Sequence, residues 1–313
     1  MLLNNIEFPN VFNSSGARGF YGEGWPFHYL LRPFGLDYRG SGLITKTVTA
    51  DPTFGHLKSK FFPDCIKVYP RKKCILNAVG LTNPGVEKFL ERADQLPQKS
   101  IISLGFSGDK PYLQQLQEIG KWFRKAYLEG KLPENFQFAI ELNWQCPNST
   151  KLPIDPDSIQ RALEVLDWNF LPQIPPILLK VGENFPLWSL MKLEPTLAGV
   201  SILNSLPWGH PAINWEKLFG TFVSPLLEYG GGALSGEPLF PLMLSYLLDL
   251  RQEGWKKPVI VGGGILTPLD LKIALGYGAS AISLGGVSLL RPYRVHSLIQ
   301  AAIHETANPR FNS

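Results

Sequence analysis

Hydrophobic residues in this chain cluster in short, nearly unbroken runs, at 11–14, 43–47, 101–106, 138–143, 177–181, 199–204, 259–262 and 281–285. Runs of this kind suit strands covered on both faces, as in a parallel sheet. Longer amphipathic stretches lie between them and predict helices over 86–94, 110–129, 157–166, 187–193, 238–253, 268–276 and about 293–306. Thr267 ahead of Pro268 gives one of these an N-cap with proline at the first helical position. Eight strands alternating with about as many helices predict an α/β fold, a (β/α)8 TIM barrel with long βα-loop insertions; an open doubly wound sheet is the other arrangement that fits. Two connections, 48–84 and 205–236, are too long for ordinary βα loops, and the first contains a short apolar piece, Cys74-Ile75-Leu76. Long structured loops inside a compact domain are usually functional.

Composition narrows the class. At 313 residues, 44% hydrophobic and 18% charged, the chain can bury a full core and reads as a single domain over 1–313. A net charge of +4 suits a small anionic ligand and falls short of the clustered basic footprint of a nucleic-acid binder. Lys58, Lys60, Lys67, Arg71, Lys72 and Lys73 in the first long connection read as solvated surface. Cys65, Cys74 and Cys146 lack metal-finger spacing and the five histidines form no i, i+4 pair, so no metal site is expected. A reducing cytoplasm fits this cysteine usage. The first residues carry neither a signal-peptide pattern nor an anchor, and the apolar tract 259–290 is interrupted by Asp270, Lys272 and glycines.

In a barrel, chemistry gathers at the C-terminal ends of the strands. The polar residues of this chain fall there: Asn13 to Gly16 with Ser15 between them, Lys46, Asn143 to Asn148, Lys180, Asn204 and Ser205. The fourth run, Phe138-Ala139-Ile140, leads into Glu141-Leu142-Asn143-Trp144-Gln145-Cys146-Pro147-Asn148. An isolated cysteine is more often a small core hydrophobe, and Asn-Pro clusters commonly mark only a turn. A thiol among amides at a strand exit nevertheless suits a base beside a small polar ring. A lysine can snorkel to solvent and a glycine can simply turn the chain, but their coincidence at one rim favours a site. Gly262-Gly263-Gly264 and Gly285-Gly286 follow the seventh and eighth runs, where barrels bind phosphate through bare N–H groups. No strand–GxGxxG–helix–acid pattern accompanies them, so a mononucleotide is expected rather than a dinucleotide. No histidine falls at another predicted strand end to activate the thiol, which argues against a cysteine hydrolase.

The order of these motifs resembles the dihydroorotate dehydrogenase family of FMN-containing barrels along nearly the whole chain. The resemblance rests on Phe12-Asn13-Ser14-Ser15-Gly16, Ile44-Thr45-Lys46-Thr47, Asn77-Ala78-Val79-Gly80-Leu81-Thr82-Asn83-Pro84-Gly85, the octapeptide ending at Asn148, Leu179-Lys180, Asn204-Ser205, Gly231-Gly232-Ala233-Leu234-Ser235-Gly236 and the two glycine clusters. It implies the soluble, cysteine-base class, in which Cys146 removes a proton from C5 of dihydroorotate while the C6 hydride passes to flavin N5. It further implies that Asn77, Gly80, Leu81, Asn143, Asn148, Asn204 and Ser205 hold the substrate, and that Lys46 lies by flavin and substrate. Ser15, Gly16, Lys46, Asn143, Lys180, Ser235, Gly236, Gly263, Gly264, Gly285 and Gly286 would bind FMN, Lys180 beside N1 and O2. A homodimer is implied, with fumarate, NAD through an electron-transfer partner subunit, or a quinone as second oxidant. Membrane-linked members carry an extra N-terminal amphipathic segment, and the first strand here begins too early for one. The chain departs from the family at Gly55-His56-Leu57-Lys58, at Trp144 and Gln145, and from Trp208 to Pro211, where a narrower pocket or a different guest is the expectation. The alternatives are an FMN oxidoreductase of another dihydropyrimidine, cyclic amide or enone, and a non-catalytic phosphate-ligand binding barrel in which Cys146 is structural.

Overall fold

The structure, a computed structural model, describes residues 1–59, 63–108, 110–132, 135–147 and 152–307; Lys60 and Asn148 lie outside the described residues. Eight parallel strands are arranged around one axis: β1 (Val11–Asn13), β2 (Gly42–Leu43), β3 (Ser100–Leu104), β4 (Phe138–Asn143), β5 (Ile177–Val181), β6 (Gly199–Ile202), β7 (Val259–Val261) and β8 (Ala281–Leu284). Their spatial order is β2-β1-β8-β7-β6-β5-β4-β3. Parallel bridges from Ile44 to Ile101 and from Val48 to Leu104 bring the extension of β2 against β3 and complete the circuit. The fold is therefore the (β/α)8 barrel and not the open sheet.

Because side chains alternate along a strand, each strand feeds two cores. On β4, Phe138, Ile140 and Leu142 pack between barrel and helices. Ala139 instead faces the barrel interior with Phe12, Ile44, Ile101, Leu178, Ile260 and Ala281, and the N-terminal hairpin adds Leu3, Ile6 and Phe8 to that interior cluster. Two residues further along, the inward positions turn polar: Glu141 follows Ala139, Lys180 follows Leu178, and Ser283 follows Ala281. Burying these groups is costly unless they are paired or meet a ligand, so the change of polarity marks where a core ends and a site begins.

Most predicted helices form close to their expected bounds, including Tyr112–Leu128, Pro156–Val165, Leu187–Leu193, Pro268–Gly276 and Val295–Ala307. The one expected over 86–94 stops at Leu90, and a separate 3-10 turn covers Ala93–Gln95. The Thr267 cap forms as expected: its hydroxyl accepts the Asp270 N–H at 3.2 Å, and the Asp270 carboxylate accepts the Thr267 N–H at 2.8 Å. Thr267→Ala should lower the urea-unfolding stability by about 1 kcal/mol. A midpoint unchanged from the parent protein would show that Asp270 alone suffices.

The two long connections meet. Leu206–Pro207, Ala233–Gly236, Cys74–Asn77 and Ile66–Tyr69 form one antiparallel sheet in that order, with Ala233 opposite Asn77 and Gly236 opposite Cys74. This sheet brings Asn77 and Ser235 to the cavity at the barrel mouth. No helix among the described residues is long and apolar enough to cross a membrane.

Candidate active site

Between the C-terminal ends of the strands and the antiparallel sheet lies a cavity of about 310 Å³, within the range of small-ligand sites. Its wall gathers residues that are scattered through the chain. Strand ends contribute Ser15, Gly16, Lys46, Asn143, Cys146, Lys180, Asn204 and Ser205; the first long connection contributes Asn77 and Leu81; the second contributes Ser235 and Gly236; the late loops contribute Gly263, Gly264, Gly285 and Gly286. Gly80, with φ 70° and its Cβ position 3.2 Å from Gly55 and His56, is not itself on the wall, which its neighbours Val79 and Leu81 line.

Cys146 is half-buried on the wall, and the residue before it braces the turn. The Gln145 side-chain carbonyl accepts the Gly182 N–H at 2.7 Å, and its backbone carbonyl accepts Asn204 Nδ2–H at 2.6 Å. Asn204 also donates to Asn143 Oδ1 at 3.0 Å, and Asn143 donates to the Thr47 hydroxyl at 3.2 Å. These bonds fix which amide edges face the cavity. Trp144 does not narrow it, contrary to expectation. Alternation turns its ring outward, fully buried against Phe106 and Tyr112, with its N–H donated to the Pro153 carbonyl at 2.7 Å. Trp208 likewise packs, with tilted rings, against Trp215 at 4.4 Å and Phe219 at 5.1 Å. Of the departures from the family pattern, only the Gly55–Lys58 stretch reaches the wall, through Leu57.

Two lysines lie at the cavity floor. Lys46 is 7% exposed, and burial pulls its ammonium down to about 8, partly offset by Cys146 and Cys65. Lys180 Nζ lies 3.6 Å from Glu141 Oε1, which also accepts the Ser103 hydroxyl at 3.0 Å. Ser201 Oγ, also on the floor, is buried with no hydrogen-bond partner among the described residues. Such a hydroxyl implies an acceptor or donor brought by a ligand.

Several wall residues escaped the sequence reading. Phe27 and His28 come from a helix, Pro26–Leu31, in the β1–β2 connection that was not predicted, and Trp25 from the position just before it. The aromatic density of residues 20–38 and the length of that connection were the available signs. His28 brings an imidazole to the thiol's cavity from a helix rather than from a strand end. Burial, with Arg32 and Arg18 adding to it, pulls its imidazole down to about 4, and its Nδ1 accepts the Trp25 N–H at 3.3 Å. A neutral ring engaged in this way is a wall element rather than a paired base. Glu141 was hidden inside an apolar run, and Ser201 gave no sign at all.

The glycines leave bare backbone where side chains would intrude. A Cβ on Gly236 would meet the Lys73 carbonyl oxygen at 2.4 Å, and one on Gly264 would meet the Gly236 carbonyl oxygen and the Phe240 nitrogen, each at 2.8 Å. Phe240–Gln252 begins at this point, and a helix start favours phosphate. Cationic floor, partnerless hydroxyl and bare glycine backbone together fit a planar, phosphate-bearing ligand such as FMN. The sequence profile of the family described as Dihydroorotate dehydrogenase matches residues 2–306. The chain belongs to the dihydroorotate dehydrogenase family.

Two relatives show what this dihydroorotate dehydrogenase family member is similar to. The "Dihydroorotate dehydrogenase B (NAD(+)), catalytic subunit" of Endomicrobium trichonymphae is 27% identical, over 90% of this chain and 84% of its own. The "Putative dihydroorotate dehydrogenase A (fumarate)" of Pediococcus pentosaceus is 26% identical, over 97% of this chain and 92% of its own. The solved ligand-free DHODH from Eimeria tenella superposes with a TM-score of 0.68 at 17% identity, covering 96% of this chain and 85% of that one. This last likeness concerns the fold.

Proposed function

We propose that this protein oxidises dihydroorotate to orotate in pyrimidine biosynthesis, with FMN held in the barrel-mouth cavity. The observation that carries this reading is the convergence of Cys146, Asn77, Asn143, Asn204, the buried Lys46 and the partly buried Lys180 on one wall. Ser235, Gly236, Gly263, Gly264, Gly285 and Gly286 would hold the phosphate, and Ser15, Gly16, Asn143 and Lys180 the ring. When bound, FMN supplies at N5 the acceptor for the hydride leaving C6 of the substrate. Cys146 takes the C5 proton, a role open to a thiol near a cationic group. Asn77, Asn143 and Asn204, with Ser205 and Leu81, orient the substrate ring and carboxylate. The purified protein should be yellow and should bleach anaerobically on adding dihydroorotate. Yellow protein that stays oxidised rejects the substrate, and apoprotein that takes up no FMN rejects the cofactor.

A second reading, the same chemistry on another dihydropyrimidine, cyclic amide or enone, is favoured by Leu57 and by the Trp25, Phe27 and His28 wall. Bleaching by dihydrouracil or an enone, but not by dihydroorotate, would select it. Under the leading reading the protein works in the cytoplasm as a homodimer. The second oxidant is whichever of fumarate, NAD through a partner subunit, or a quinone reoxidises the flavin fastest.

Lys46 gives this reading a pH signature. With its ammonium pulled to about 8 by burial, the charge that attracts the product's carboxylate is present below that pH and is lost above it. Orotate affinity should hold from pH 6 to 7.5 and fall toward tenfold per unit above about 8. Lys46→Met should be weaker throughout and flat. A parent protein whose affinity is constant to pH 9.5 would remove Lys46 from the anion site.

A further inference from the structure

The lysine at the floor is not alone there, and its companion has no part in the mechanism above. Glu141 is 1% exposed, lines the cavity, and lies between the Ser103 hydroxyl at 3.0 Å and the Lys180 ammonium at 3.6 Å. Ser103 in turn contacts the Thr47 hydroxyl at 3.0 Å, and Thr47 contacts Ser15 at 3.1 Å, so the carboxylate ends a hydrogen-bonded chain along the barrel interior. A carboxylate withdrawn this far from water is costly even after relaxation, and an ion pair often only breaks even with an apolar replacement. Stability alone is a poor reason for its presence. A fixed negative charge inside a cofactor cavity does have an electrical consequence, because charges near a flavin ring tune its electronics.

The geometry points to Glu141 as a positioning residue that fixes the Lys180 ammonium at the cavity floor and partly neutralises its field, holding down the reduction potential of the flavin above it. The inference rests on the FMN reading and deepens it. Two-electron reduction adds negative charge to the ring, and the Lys180 ammonium favours that change. The Glu141 carboxylate opposes it, the more so because it is itself only 1% exposed. Glu141→Gln keeps the shape and an acceptor for the Ser103 hydroxyl while removing the charge. Glu141→Asp keeps the charge on a shorter stem.

The experiment begins with FMN titration of the parent apoprotein, followed by potentiometry of the reconstituted protein and by titration with sulfite, which adds to flavin N5 in proportion to its electron deficiency. No FMN uptake by the parent rejects the flavin reading itself. Given uptake, E141Q should raise the potential and tighten sulfite binding about tenfold or more, equivalent to about 30 mV for a two-electron couple, whereas E141D should stay near the parent. E141Q with the parent's potential and sulfite affinity would make Glu141 merely structural and overturn the inference. A second comparison stands if E141Q does not retain flavin. Lys180→Met leaves an uncompensated carboxylate and should lower the potential, and the double variant E141Q/K180M should bring it back toward the parent value. A double variant as low as K180M would also overturn the inference.

Discussion

Cys146→Ala should retain bound FMN and lose dihydroorotate-dependent bleaching by about 10²- to 10⁴-fold, the range contributed by a positioned base. The side chain is half-buried on the cavity wall, and Gln145 and Asn204 hold the turn that carries it. Removing the sulfur should therefore leave folding and cofactor uptake intact. Cys146→Ser offers a hydroxyl with a higher pKa and should recover part of the rate with the optimum moved to higher pH. If C146A bleaches at the parent rate, Cys146 is not the base. If neither protein bleaches with any dihydropyrimidine, cyclic amide or enone, the non-catalytic binding barrel gains ground.

Gly236→Ala should cost both the cofactor and much of the stability. Gly236 holds φ 111° where its strand pairs with Cys74, and an added Cβ would fall 2.4 Å from the Lys73 carbonyl oxygen and 2.8 Å from Cys74 Cα. Neither atom is the end of a flexible side chain, so the sheet must shift. Left-handed backbone costs about 1–3 kcal/mol, and overpacking adds about 1–3 kcal/mol. Gly209→Ala is the control, since φ there is 83° and the space is open. Urea midpoints should show G209A losing only the backbone contribution and G236A losing both, with FMN retention reduced only in G236A. Equal midpoints would mean that the two loops yield without cost.

The barrel and much of its rim were legible in the sequence because the relevant physics is local. A strand buried on both faces leaves an unbroken apolar run, and a helix start leaves a Thr-Pro pair. A chemical strand end leaves amides, lysines or glycines where a core would place Leu or Val. Short strands weakened the signal: β2 contributes only Gly42–Leu43 to its ladder, and beyond it the chain pairs through isolated bridges at Ile44 and Val48. The helix Pro26–Leu31 left little trace. It has six residues, three of them aromatic or histidine, which gives periodicity too little length to register.

Other features depended on contacts between segments far apart in the chain. Trp144 and Asn143 are neighbours in sequence, yet one supports the outer core and the other faces the cavity, and only the strand's register decides which. The two long connections looked unrelated until Ala233 paired with Asn77. Glu141 and Ser201 looked like ordinary members of their strands until the barrel closed around them. By itself the sequence determined the succession of strands and helices and the kind of group at each strand end, since these follow from local propensity and burial pattern. Only the tertiary structure decided which of those groups share a cavity, because that depends on ladder register and barrel closure, which join residues through non-local hydrogen bonds.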